Sequence, residues 1–400
     1  MQTQEERIER LKREHVREFG SRAADLKAVI APFRICPLGA HVDHQHGLVT
    51  GMALENSITL VFEPNPEGRV RLRSLNFPKP QAFSVREPFA RAHDWGDYAR
   101  GAALALTRAR PLETGINGVL QGDMPIGGLS SSAACGVAYL LALEYANGIQ
   151  ADPEQNIEHD RVIENEFIGL NNGILDQSVI LLAHAERLLS MDCQSGSFKL
   201  VKPVTALPPF DILVVYSGVA KKLENTDYNK RVRECETAAR RILELAGRPA
   251  PDGQRVRLRQ VKPAEYIEHG HALEPNLQKR VDHFFTECAR VQEGRTAWAT
   301  GNLVHLGWLM MESGVSSIEN YECGCPPMIT LTEILNQTPG VYGARFSGAG
   351  FRGCCIGLSD PSRRDAIRDA IATRYPPKHP EFADAYEVHF CRMGHGARIV

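Results

Sequence analysis

The sequence predicts an α+β fold in two domains, and three observations predict it. A chain of 400 residues is longer than one hydrophobic core usually organises. Its first half alternates strand-like apolar runs with helical patterns. A proline-rich stretch at residues 203–209 then separates that half from one in which long helical patterns precede a strand-loop-strand unit, an α+β arrangement. The boundary falls near residue 205, giving domains 1–205 and 206–400.

The elements follow in order. Residues 1–14 form a charged helical pattern without the apolar core of a signal peptide. Residues 29–37, 57–62 and 115–121 read as strands, and 95–109 as a helix. Ala134, Val137, Ala138, Leu141 and Tyr145 recur at helical spacing and Asn147-Gly148 supplies a stop, so a helix opens at the serines before them. A helical region at 154–185 runs into an extended 187–192. After the break come a strand at 210–216, helices at 228–245 and 277–291, a strand-loop-strand unit at 341–358, a helix from Ser362 and a strand at 386–391. No repeat is visible.

Composition excludes several classes. A net charge of −2 gives no general attraction to nucleic acid or anionic membrane. No apolar run approaches the length of a membrane span. Ten scattered cysteines, with Cys354 and Cys355 adjacent, do not resemble the framework of a small secreted domain, so a reduced, cytoplasmic chain is expected. Cys323-Gly-Cys325 has no second pair at zinc spacing. No obligatory protein partner is evident.

The most informative stretch is Pro125-Ile-Gly-Gly-Leu-Ser-Ser-Ser-Ala-Ala-Cys-Gly136. Gly127 and Gly128 let the backbone approach an anion, Ser130, Ser131 and Ser132 add hydroxyls, and a helix N-terminus attracts negative charge. One serine would satisfy the cap. The pattern is a phosphate cradle, and without a Lys-Ser or Lys-Thr pair it is not a Walker loop. Glu164 and Asp176 lie downstream, enough to divide Mg²⁺ binding and hydroxyl orientation in phosphoryl transfer. Residues 34–47 end a strand in a loop holding His41, Asp43, His44 and His46. Their spacing fixes no tetrahedral metal set. Polyol recognition suits them better, with Asp43 accepting hydroxyl protons and Arg34 facing a carboxylate or phosphate.

Together these segments resemble the galactokinase branch of the GHMP kinase family, over essentially the whole chain. The sugar loop matches at Phe33-Arg34-Ile-Cys-Pro-Leu-Gly39-Ala40-His41-Val-Asp43-His44, the phosphate loop at Gly128-Leu129-Ser-Ser-Ser-Ala133, and a third motif at Gly343-Ala-Arg-Phe-Ser-Gly-Ala-Gly-Phe-Arg-Gly353. Trp95-Gly-Asp-Tyr98, Gly173-Ile-Leu-Asp176-Gln177 and Tyr228-Asn-Lys-Arg231 match further segments. The resemblance implies a ribosomal-protein-S5-like N-terminal domain and a ferredoxin-like C-terminal domain. It implies that Asp176 is catalytic with Arg34 as its partner, and that Ser132 and Glu164 bind Mg²⁺. Ala40, His41, Asp43, His44, Gly173 and Tyr228 would face the sugar. Trp95, Tyr98 and residues 127–132 would bind ATP.

Departures from the galactokinase pattern move the expected substrate. Ala40 replaces a Glu that reads the 6-hydroxyl, removing a charge that would repel a uronic acid. His44 replaces a Tyr. Arg352 interrupts a Gly-rich motif, with a guanidinium suited to a sugar carboxylate or to ATP phosphate. These features and residues 317–324 look like the galacturonokinases, so phosphorylation of galacturonate at its anomeric hydroxyl is expected, with ATP and the sugar acid as small-molecule partners. The alternatives are a galactokinase with an unusual 6-position contact and a non-catalytic sugar sensor. The run Pro125-Ile-Gly-Gly-Leu is one residue shorter than its galactokinase counterpart.

Overall fold

The computed structural model describes residues 3–87, 89–170, 172–219, 228–251, 253–348, 350 and 352–400, with Tyr228 described by its backbone alone. Helix α1 (Gln4–Phe19) starts in a Thr3–Glu6 capping box and stops at Gly20 in the left-handed conformation, each end satisfied by its own sequence. Strands β1 (Lys27–Ile35), β2 (Leu48–Asn65), β3 (Arg69–Ser74) and β4 (Gln81–Ser84) follow. Then come α2 (Asp97–Thr107), β5 (Gly115–Gly122), α3 (Ser131–Asn147), α4 (Pro153–Arg161), α5 (Leu175–Leu182), β6 (Leu188–Asp192) and β7 (Phe198–Val201). The main path of the first sheet starts at the C-terminal strand Arg398–Ile399 and runs β1-β2-β5-β3-β4. It is antiparallel except where β3 lies parallel to β5. β2 is long enough to pair with β1 and β5 along one part and with β6 along its start.

The second half holds β8 (Asp211–Tyr216), α6 (Tyr228–Leu245), α7 (Pro263–His269), α8 (Pro275–Ala299), α9 (Leu303–Glu319) and α10 (Pro326–Asn336). They are followed by β9 (Val341–Phe346), β10 (Cys354–Ser359), α11 (Arg364–Arg374) and β11 (Glu387–Cys391). Among the described residues, its own sheet has four antiparallel strands in the order β11-β8-β10-β9, the ferredoxin-like topology. β8 shows why this sheet is buried on both faces. Ile212, Val214 and Tyr216 join the core under the large sheet, while Leu213 and Val215 join the core made with the C-terminal helices, as strand alternation dictates.

The expected helical region at 154–185 is three pieces. α4 passes into π-helical turns at Val162–Ile168, which stop at Gly169 with φ of 83°. α5 begins only at Leu175. Gly169 ends one piece, and Asp176 stands in the first turn of the next. Among the described residues no helix is long and apolar enough to cross a membrane.

Candidate active site

The phosphate loop packs against the glycine-bearing loop after β9. Gly127 and Gly128 have φ of 134° and 82°, and a Cβ on them would lie 3.0 Å from Gly353 Cα and 2.7 Å from Cys354 Sγ. Side chains there would collide with the loop after β9. Ser347 on that loop donates to the Gly128 carbonyl at 2.6 Å. Ser130 is the N-cap of α3 with a left-handed φ of 56°, and its side chain makes no capping bond. The hydroxyl instead donates to Asp176 Oδ2. The first turn of α3, with Ser131 and Ser132, therefore presents its N–H groups without a side-chain cap, as anion binding requires.

Arg34 sits on β1 just past a register shift after Pro32, the sort of irregularity that re-aims a side chain. Its Nε lies 2.8 Å and its Nη2 2.7 Å from Asp176 Oδ1, and its Nη1 donates to the Gly128 carbonyl at 3.1 Å. Burial opposes the charge on Arg34, but Asp176 outweighs it and holds the guanidinium above its usual value. Leu129 is buried, and its carbonyl accepts from the Arg34 N–H at 3.3 Å.

Negative charge is crowded around Asp176. Burial and then Asp176 push the Glu164 carboxyl up to about 7, and likewise push Asp43 up to about 6. Glu164, in the π-helical turns, accepts from Asn172 and is bonded to Ser132. Asp160, one turn earlier, is fully buried and, among the described residues, neither carboxyl oxygen has a hydrogen-bond partner. Burial, then Glu164 and Asp176, hold it well above its usual range. Buried carboxylates call for a cation, so Ser132 and Glu164 fit a divalent ion on the protein's own chemistry.

The sugar loop is built from buried parts. A Cβ on Gly173 would lie 2.5 Å from Asp43 Oδ2, so only glycine admits the Asp43 carboxylate here. That carboxylate is also bonded to the His44 and Leu175 backbone. His41 has a left-handed φ of 59°, stacks on Tyr321 with centroids 4.4 Å apart, and places Nε2 3.3 Å from Cys323 Sγ. Burial, followed by the neighbouring His283, keeps its pKa well below the usual value. His44 Nε2 lies 2.9 Å from the Tyr321 hydroxyl and Nδ1 2.9 Å from Gln45 Nε2. With both ring nitrogens beside protein groups, His44 shapes the wall of the site. Burial, then Arg255, lowers it to about 3. Ala40 is 7% exposed. The Tyr228 side chain lies outside the described residues.

Trp95 stacks on Phe77, centroids 6.1 Å apart, and donates to the Lys79 carbonyl at 2.8 Å. Phe77 lines a cleft of about 450 Å³ with Leu75, Asn76 and Pro78. The Tyr98 hydroxyl is bonded to Ser132. Arg352 is half-buried, and its chain neighbour Gly353 packs on Gly127. Sequence reasoning missed Asp160, Asn172, Ser347 and Tyr321. Ser347 and Tyr321 stood inside recognised segments, Asp160 is one helical turn from Glu164, and nothing in the pattern marked Asn172.

Comparison with known proteins agrees with this geometry. Residues 97–184 match the GHMP kinases N terminal domain and residues 296–377 the GHMP kinases C terminal model. The chain is 44% identical over 406 aligned positions to a galacturonokinase of Arabidopsis thaliana, covering 95% of each chain. Among solved structures, Lactococcus lactis galactokinase complexed with galactose superposes with a TM-score of 0.87 at 26% identity, covering 98% of this chain and 99% of that one. The fold alone is shared with Methanococcus jannaschii mevalonate kinase, with a TM-score of 0.64 at 17% identity over 92% of this chain and 98% of that one. The phosphate loop, the Arg34–Asp176 pair and the ferredoxin-like sheet thus have one explanation: the chain belongs to the GHMP kinase family.

Proposed function

We propose that the chain transfers the γ-phosphoryl group of ATP to the anomeric hydroxyl of galacturonate, giving galacturonate 1-phosphate and ADP. The observation that carries the kinase reading is Asp176, held between Arg34 and Ser130 at the phosphate loop and close to Asp43 of the sugar loop. Two features support the uronic acid. Ala40 brings no charge to position 40 of the sugar loop, and the curated relative of 44% identity is a galacturonokinase.

Asp176 accepts the hydrogen bond of the anomeric hydroxyl and orients its oxygen, while Arg34 fixes the carboxylate in place. The anomeric oxygen forms its bond to the γ-phosphorus as the bond to the β-γ bridging oxygen breaks. ADP leaves with that electron pair, and the hydroxyl proton is taken up by Asp176 and released to solvent. Ser132 and Glu164 are the residues that would hold Mg²⁺, which neutralises charge on the phosphates. Residues 127–132 cradle the phosphates, Trp95 and Phe77 receive the adenine, and Tyr98 supports Ser132. Asp43, His41 and Gly173 form the sugar side, with Ala40 toward carbon 6. Arg352 belongs with the ATP phosphates, because its neighbour Gly353 packs on Gly127.

The working unit spans both expected domains, 1–205 and 206–400. All ten cysteines are free, which suits a cytoplasmic enzyme. The test is ADP formation with galacturonate, glucuronate and galactose in turn, in the presence of ATP and Mg²⁺. Galacturonate should be used fastest. Equal or faster turnover of galactose would refute the uronate assignment and leave the kinase reading standing.

A further inference from the structure

Helix α8 follows the sugar loop residue by residue. His283 Nε2 lies 2.9 Å from the Ala40 carbonyl. Four residues on, Glu287 Oε1 accepts from the N–H groups of Gly39 at 2.7 Å and Ala40 at 3.1 Å. Seven residues further, a Cβ on Gly294 would come 2.1 Å from Leu38 Cδ1. These positions share one helical face, so a single face of the second half holds the backbone of Gly39 and Ala40 and packs on the Leu38 side chain.

We infer that Glu287 is a positioning residue for sugar recognition, its carboxylate filling the concave pair of N–H groups at Gly39 and Ala40 and so setting the direction in which position 40 meets the sugar. Gly39 has a φ of 101°, and two successive N–H groups turned onto one oxygen make an anion-binding nest. The anion here is part of the protein. Glu287 is fully buried, which a carboxylate tolerates only when its charge is answered. Besides the two loop amides, Oε1 accepts from Ser313 Oγ at 2.6 Å, and Oε2 accepts from Arg290 Nε at 2.7 Å. Arg345 Nη1 donates in turn to Ser313 Oγ at 3.0 Å. Among the described residues, none of the hydrogen bonds of Glu287 reaches the phosphate loop or Asp176. Its influence therefore falls on the sugar side, through the loop that also carries His41 and Asp43.

The inference rests on the proposed function only for the identity of the sugar. Glu287→Asp and Glu287→Gln are made in the full chain, checked for folding by thermal melting, and assayed with galacturonate and galactose at saturating ATP and with ATP at saturating sugar. Glu287→Asp keeps the charge but draws it back by one methylene, so the KM for galacturonate should rise about tenfold while kcat and the KM for ATP change less than about twofold. Glu287→Gln keeps the reach and one acceptor oxygen, and should raise the sugar KM by about threefold or less. Ser313→Ala removes one donor to the same oxygen; it should raise the sugar KM alone by about threefold, and it decides the matter if the Glu287 variants do not fold. An unchanged sugar KM in the folded Asp variant, or an equal rise in the KM for ATP, would overturn the positioning role. If wild type prefers galactose, the substrate reading fails, yet a rise in the galactose KM of the Asp variant would still uphold the role of Glu287.

Discussion

Nε and Nη2 of Arg34 converge on one oxygen of Asp176, at 2.8 and 2.7 Å, and Ser130 takes the other. The carboxylate is thereby held in one orientation before any substrate arrives. Asp176→Asn retains the shape and loses the charge that orients the hydroxyl. We expect kcat to fall at least about a hundredfold, a loss typical for a misplaced acid-base group, with ADP affinity changed less than about twofold. Initial rates and ADP titration check both. Near-normal turnover would require another residue in this role.

Ser130→Ala separates a cap from a catalytic contact. Losing an N-cap side chain usually costs about 1 kcal/mol, but Ser130 makes no capping bond. Stability should therefore drop by less than about 0.5 kcal/mol, while kcat falls about tenfold through loss of one hydrogen bond to Asp176. Thermal melts paired with initial rates decide; a large melting shift with normal kcat would reverse the assignment.

Glu164 gives the protein a pH signature. Its carboxyl is pushed from an ordinary 4.5 to about 7, so the folded state binds more protons than the unfolded state between those values. Stability of the metal-free protein should accordingly fall as pH rises through that window, by up to about 3 kcal/mol, and Asp43, pushed to about 6, adds in the same direction. Cation binding needs the ionised form, so Mn²⁺ affinity should weaken about tenfold per pH unit below 7. Melting curves and Mn²⁺ calorimetry measure the two effects. In Glu164→Gln the pH dependence should shrink and the Mg²⁺ requirement should rise; an unchanged profile would place the titrating group elsewhere.

Ala40→Glu restores the galactokinase residue at a position where the wild-type side chain is 7% exposed. The new carboxylate should repel galacturonate and offer galactose a hydrogen bond, shifting relative kcat/KM by about 2–4 kcal/mol, or roughly thirty- to a thousand-fold. Competition assays with both sugars read the shift. An unchanged preference in a folded, active variant would mean that position 40 does not face carbon 6.

The legible parts of the molecule were those written in local chemistry. Gly127 and Gly128 mark the turn before α3, which forms with positive φ at both. The helix after them was readable from Ala134 to the Asn147-Gly148 stop, as was the short strand ending at Tyr216. The break between α4 and α5 was not, because Glu154 to Ala185 keeps a helical pattern and only the packing of Gly173 against Asp43 reveals the turn. The long extent of β2 escaped notice for a similar reason, since its partners β1, β5 and β6 lie elsewhere in the chain. Glu287 was invisible as a site residue. An acid on a helix reads as solvent-facing until the loop it serves, some 250 positions earlier, is folded onto it.

The carbonyl oxygen of Gly128 accepts at once from Arg34 at 3.1 Å and from Ser347 at 2.6 Å. Strand β1, the phosphate loop and the loop after β9 are thus tied at one atom. The three segments are consequently not interchangeable modules. A chimera that imports the phosphate loop of a relative also moves the shared oxygen, disturbing the Arg34–Asp176 pair on one side and the C-terminal sheet on the other. Grafts between members of this family should succeed when all three segments travel together and fail when one travels alone.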